Sequence, residues 1–107
     1  MSLYMIQSTF TADAWAILAK TPQNRAEAVR PGIEQIGGKL ISYYFSFGEY
    51  DSVVIAELPD NPTAAAASIA AAAGGAIRTI KTTPLMTVEE GMEAMRTAGE
   101  GGYRAPS

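Results

Sequence analysis

The apolar positions change their spacing along the chain, and each change marks an element. From Leu3 to Phe10 the β-favouring Tyr, Ile, Thr and Phe residues predict a strand. Thr11 then stands as an N-cap, with Phe10 before it and Trp15 after it at the two positions of a hydrophobic staple. Trp15, Leu18 and Ala19 follow at helical spacing. Thr21–Pro22 reads as a restart, with Thr21 capping and Pro22 at the first helical position. Ala26, Val29, Ile33 and Ile36 recur at steps of three and four, one helix face that continues across Pro31 and Gly32 and so predicts a kinked helix. Gly37–Gly38 ends it.

From Lys39 to Phe47 the spacing becomes that of a strand. The odd positions Ile41, Tyr43, Phe45 and Phe47 suit a helix-covered face, and the even positions Leu40, Ser42, Tyr44 and Ser46 a wetter one. Gly48-Glu49-Tyr50-Asp51 is a turn into a short apolar strand, Ser52 to Leu58, and together they make a hairpin. Asn61 and Pro62 read as N-cap and first position of a helix made almost wholly of alanine, whose small side chains let it lie close on a sheet. Gly74–Gly75 stops it, and Ala76 to Thr83 is a last strand. Thr87-Val88-Glu89-Glu90 matches a capping box for a final helix with Val88, Met92 and Met95 along one side.

Strands that alternate with helices but include a hairpin exclude a purely parallel sheet. The order predicts an α+β fold, a ferredoxin-like βαββαβ sandwich with an extra C-terminal helix, as one domain over residues 1–98 with a flexible tail over 99–107. Such a sheet has helices on one face only. The other face is expected to show Leu3, Met5, Leu40 and Tyr44, apolar area that a second copy of the chain covers.

Composition narrows the chemistry. The 107 residues are 48% hydrophobic and 18% charged, a globular balance, and the net charge of −3 argues against the clustered cations of a nucleic-acid footprint. There is no cysteine and no histidine, so no disulfide, thiolate nucleophile, zinc ribbon or histidine-ligated metal or haem is expected, and no cofactor is implied. The N-terminus lacks a secretory pattern and the alanine run is too short to span a bilayer, so a cytoplasmic protein with no membrane partner is the expectation. RNA-recognition domains share this element order, but the strand Ser52 to Leu58 carries neither their aromatics nor their basic residues.

The candidate chemistry lies in a few places. In the turn, Glu49 and Asp51 flank the phenol of Tyr50, and one carboxylate near another becomes a usable acid or base; a plain hairpin turn uses the same residue types. Arg78 and Lys81 on the last strand are three apart and so expected on opposite faces, which rules out a single clamp but leaves Arg78 able to orient a carboxylate or phosphate. Tyr43 and Tyr44 point opposite ways, one toward the core and the other lining whatever the open face meets, where Tyr4 is a candidate to join it. Arg25, Glu27 and Arg30 read as a solvated helix side, and the methionines as packing.

The run Phe47-Gly48-Glu49-Tyr50-Asp51, then Val53-Val54-Ile55 and Glu57-Leu58-Pro59-Asp60, resembles the signature of the GYD-domain proteins. Ala26, Gly37–Gly38 and Ile77-Arg78-Thr79 also sit where that family places similar residues, and the similarity covers about residues 3 to 90. The resemblance implies a dimeric α+β barrel in which two sheets face each other around a shared cavity, with no activity attached. The alanine run from Ala64 to Ala73, and Ile80 and Lys81, depart from the family pattern. Two functions follow as expectations. One is a homodimer that binds a small metabolite in a barrel cavity, with Tyr44 and Arg78 as ligand-binding candidates. The other is a cofactor-free enzyme, monooxygenase- or isomerase-like, with Asp51 or Glu49 as base and Tyr50 as proton donor or oxyanion stabiliser.

Overall fold

A computed structural model describes all 107 residues. The elements are β1 (Ser2–Phe10), α1 (Ala12–Lys20), α2 (Arg25–Gln35), β2 (Lys39–Phe45), β3 (Ser52–Leu58), α3 (Asn61–Ala73), β4 (Ile77–Leu85) and α4 (Val88–Glu100). The strands form one antiparallel sheet in the order β2-β3-β1-β4. This is the ferredoxin-like α+β arrangement with a helix added at the C-terminus. Pro84 is tolerated in β4 because that strand lies at the sheet edge.

Local chemistry sets most of the helix ends. The Thr11 hydroxyl accepts the Ala14 amide at the start of α1, and the Phe10 and Trp15 rings meet edge to face at 5.1 Å as the staple requires. At α4 the capping box is complete in both directions: Glu90 N–H donates to Thr87 Oγ1 at 3.1 Å, and Thr87 N–H donates to Glu90 Oε1 at 3.0 Å. The Thr87 amide, and after it the Thr87 hydroxyl, lower the pKa of the Glu90 carboxyl. Two caps differ from expectation. Asn24, not Thr21, starts α2 and accepts the Glu27 amide, while Thr21 closes α1. Asp60, not Asn61, caps α3, because the Asn61 carbonyl is taken by the Tyr4 phenol, which donates to it at 2.6 Å. Helix α2 runs through Pro31 as a single element, and α4 extends to Glu100, two residues past the expected tail boundary.

Two bulges redirect side chains. Leu40 pairs with Ala56 but Ser42 pairs with Ile55, so Ile41 is an extra residue and the alternation inverts there. Leu40 is therefore buried on the helix side with Tyr43, not displayed on the open face, and Ile41 is exposed. Phe47 lies beyond the strand and is 99% exposed, where a helix-covered position was expected. The second bulge falls between Thr9 and Phe10 of β1 and makes Arg78 the extra residue of β4. Because of it, Ile77 and Ile80, three apart, both lie on the helix side.

The core occupies one end of the sheet. Tyr4, Leu58 and Ala64 form the buried cluster, with Ile33 packed against it. Tyr4 is thus a helix-side residue. Gly37 has φ +89°. At Gly38 the α2–β2 connection passes so close to β3 that a Cβ would lie 2.6 Å from the Glu57 carbonyl oxygen and 2.6 Å from Leu58 Cδ2. Away from this end the helix layer divides: α2 packs on β2 at one edge, and α3 on β4 and β3 toward the other. The centre of the sheet is left uncovered between them.

Helix α4 has no buried residue and packs on no other element beyond marginal contact. The radius of gyration is 17.1 Å, well above the roughly 13 Å of a compact chain of this length. No helix is long and apolar enough to cross a membrane.

Candidate functional site

The division of the helix layer opens a cavity of about 780 Å³ over β1 and β3. Its floor is the helix-side row of the sheet, including Ile6, Phe10, Val54 and Ile80. One wall comes from α1 and α2 through residues such as Ile17, Val29 and Ile33; the other is the alanine face of α3, Ala66, Ala67, Ala70 and Ala71. Of the 25 lining residues 18 are hydrophobic, so the space favours an apolar occupant over bulk water. The alanine run matters here. Larger side chains on α3 would fill the gap that the small ones leave.

A polar group is set into this apolar floor. Ser8 and Ser52 face each other in the β1–β3 register, both buried, with their hydroxyl oxygens 2.7 Å apart. Tyr43 lies beside Ser52. The phenol is neutral and able to donate at neutral pH, and burial pushes its pKa further up against the weaker opposing pull of Ser52 and the nearby Arg25 guanidinium. Arg25 lines the cavity and hydrogen-bonds to Gln23 Oε1 at 3.1 Å; the solvated role expected for it is incomplete. Ser68, on the α3 wall, shares a 2.6 Å hydrogen bond with Thr82 of β4.

The residues singled out in the sequence lie elsewhere. Tyr44 is on the open sheet face, 63% exposed, and Arg78 sits exposed at its bulge; neither lines the cavity. Glu49 and Tyr50 border a smaller hollow of about 380 Å³ with Gln7, Val53 and Lys81, on the open side of the sheet. The Asp51 carboxylate belongs to another neighbourhood. Its Oδ2 accepts the Phe10 amide at 2.9 Å and the Trp15 indole N–H at 3.2 Å, while its backbone N–H donates to the Ser8 carbonyl. The two carboxylates of the turn therefore face different partners, and Asp51 ties the hairpin turn to the β1–α1 corner. A proton transfer through Asp51 would have to compete with both of these donors.

That anchoring is testable. Asp51→Ala removes the acceptor of two N–H groups and is expected to cost about 1–3 kcal/mol, with Asp51→Asn, which keeps one carbonyl oxygen, costing less. Trp15 is the only tryptophan, so its emission reports on the corner directly. An alanine variant with unchanged stability and unchanged Trp15 emission would show that the contact holds nothing.

The Ser8–Ser52 pair was not picked out from sequence, while Tyr43 was read only as one of two tyrosines divided between core and open face, and Arg25 as solvated. A signal existed for the serines: each is a polar residue in the row of a strand whose other members are Tyr4, Ile6 and Phe10, or Val54, Ala56 and Leu58. No local signal marks Arg25.

The fold and the cavity define the class, a ferredoxin-like α+β domain with an apolar hollow between its sheet and a divided helix layer. Within that class the chain belongs to the GYD-domain family, whose model matches residues 4–95. No curated protein matches the chain.

Proposed function

We propose that this GYD-domain protein binds a small, largely apolar molecule between its sheet and helices, and that it works as a homodimer. The observation that carries the binding reading is the 780 Å³ cavity with its mainly hydrophobic lining. Small-molecule sites are commonly about 300–1,000 Å³, apolar, with a few placed polar groups, and the hydroxyls over β1 and β3 supply such groups. The place differs from the one expected, since the cavity lies under the helices rather than between two facing sheets.

Support for the dimer comes from area. The chain exposes 7496 Å², against roughly 5,700 Å² for a compact monomer of its mass. The surplus, about 1,800 Å², is comparable to one partner's share of an obligate homodimer interface. The open sheet face with Met5, Ile55 and Tyr44, and the apolar side of α4 with Val88, Met92 and Met95, are the surfaces a second copy would cover.

Titration with the neutral dye Nile red tests the binding reading. Saturable binding is expected, weakened at least about tenfold in Ala67→Phe, whose ring would occupy the cavity from the α3 wall. No saturable binding, or equal affinity in the variant, rejects it.

A further inference from the structure

We infer that the molecule held in this cavity carries a carboxylate, placed between the Arg25 guanidinium and the hydroxyls of Tyr43 and Ser52. The inference rests on the binding reading above and adds the chemical class of the ligand.

Charge is the first ground. Arg25 is the one formally charged residue among those lining the cavity, and no Asp or Glu lines it. Nor is its charge answered elsewhere. The ion pairs of the molecule join Arg30 to Glu27 and Arg96 to Glu93, and Arg25 has only neutral neighbours, the amide of Gln23 and the phenol of Tyr43. A guanidinium carries several N–H donors in a fork that matches a carboxylate, and one of its nitrogens is engaged here. A cation without a counter-ion at the border of an apolar space attracts an anion more strongly than it would in open water.

Proton counting is the second. When the Ser8 and Ser52 hydroxyls bond to each other, one proton lies between them and the other remains to be donated. The Tyr43 phenol, protonated at neutral pH as phenols are, has a proton of its own. Each hydroxyl also offers acceptor lone pairs, so the hydroxyls suit either kind of head group, and the guanidinium, which only donates, tips this end of the cavity toward an acceptor. A carboxylate brings charged acceptor oxygens to both the guanidinium and the free hydroxyl protons, an alcohol brings only a neutral acceptor, and an ammonium brings donors and a like charge. The remaining walls, aliphatic from α2 and methyl-lined from α3, select an apolar body. Together these features fit a fatty-acid-like or aromatic carboxylic acid.

Matched ten-carbon probes test the assignment by titration calorimetry on the full chain: sodium decanoate, 1-decanol and decylamine at pH 7.5. Decanoate is expected to bind at least about tenfold more tightly than decanol, with decylamine weakest. Arg25→Gln is expected to bring the decanoate-to-decanol ratio close to one, while Arg25→Lys, which keeps the charge without the fork, retains part of it. Circular dichroism checks that each variant is folded, and Tyr43→Phe, expected to lower the same ratio, provides a second route. Equal binding of decanoate and decanol by the parent chain, or a preference that survives Arg25→Gln, overturns the carboxylate assignment and leaves the apolar site standing. Binding of none of the three probes overturns both.

Discussion

Leu58→Ala is expected to lower the melting temperature by roughly 12–24 °C, the shift that about 3 kcal/mol produces in a domain of this size. Leu58 is fully buried and, with Tyr4 and Ala64, makes up the only compact cluster in the molecule. Truncating a buried leucine removes its transfer energy and leaves a hole whose cost depends on how far the neighbours can close it. Here they are held. The Gly38 backbone already lies against Leu58 Cδ2, and Tyr4 is fixed through its hydrogen bond to Asn61. Only 10 of the 107 residues are buried, so a loss of this size falls on a small reserve. Thermal unfolding followed by circular dichroism measures it. A drop below about 4 °C would mean that the stability of the domain resides elsewhere.

Ile55→Asp and its neighbour Val54→Asp are expected to fail in different ways. Val54 is buried on the helix side in the apolar floor of the cavity, so an aspartate there must give up most of its water and the fold should lose stability outright. Ile55 lies on the opposite face, half-buried in the single chain. If a second copy covers that face, an aspartate at position 55 must lose its water on association, which opposes pairing by several kcal/mol. Light scattering should then find the parent at twice the 11.3 kDa chain mass and Ile55→Asp at the chain mass, with its far-ultraviolet dichroism retained. A monomeric parent, or an Ile55→Asp variant that still pairs, rejects the dimer through this face.

The differing fates of these neighbours follow from alternation along β3, which is readable from Ser52 to Leu58 because no bulge interrupts it. The same reasoning fails along β2. Until Leu40 the pleat can be followed, but the extra residue at Ile41 reverses it, and Leu40 and Tyr43 come to share a face although they are three apart. Arg78 does the same to β4. A bulge is a property of the pairing between strands, and nothing within either strand's own alternation announces it. The caps divide in a similar way. Thr11 and the Thr87–Glu90 box act on amides three residues away and were legible, whereas the α3 cap passed to Asp60 through a bond between Tyr4 and Asn61, 57 positions apart.

By itself the amino-acid sequence determined the identity and order of the elements, the ferredoxin-like class, the capped ends of α1 and α4, and the family, because each depends on local spacing or on a contiguous motif. The tertiary structure alone decided which residues meet. It buried Ser8 against Ser52, brought Arg25 to the Tyr43 phenol, separated Glu49 from Asp51, and parted α2 from α3 to open the cavity. Each of these outcomes depends on strand register and on how far small side chains let helices settle on the sheet, and both are set by contacts distant in sequence.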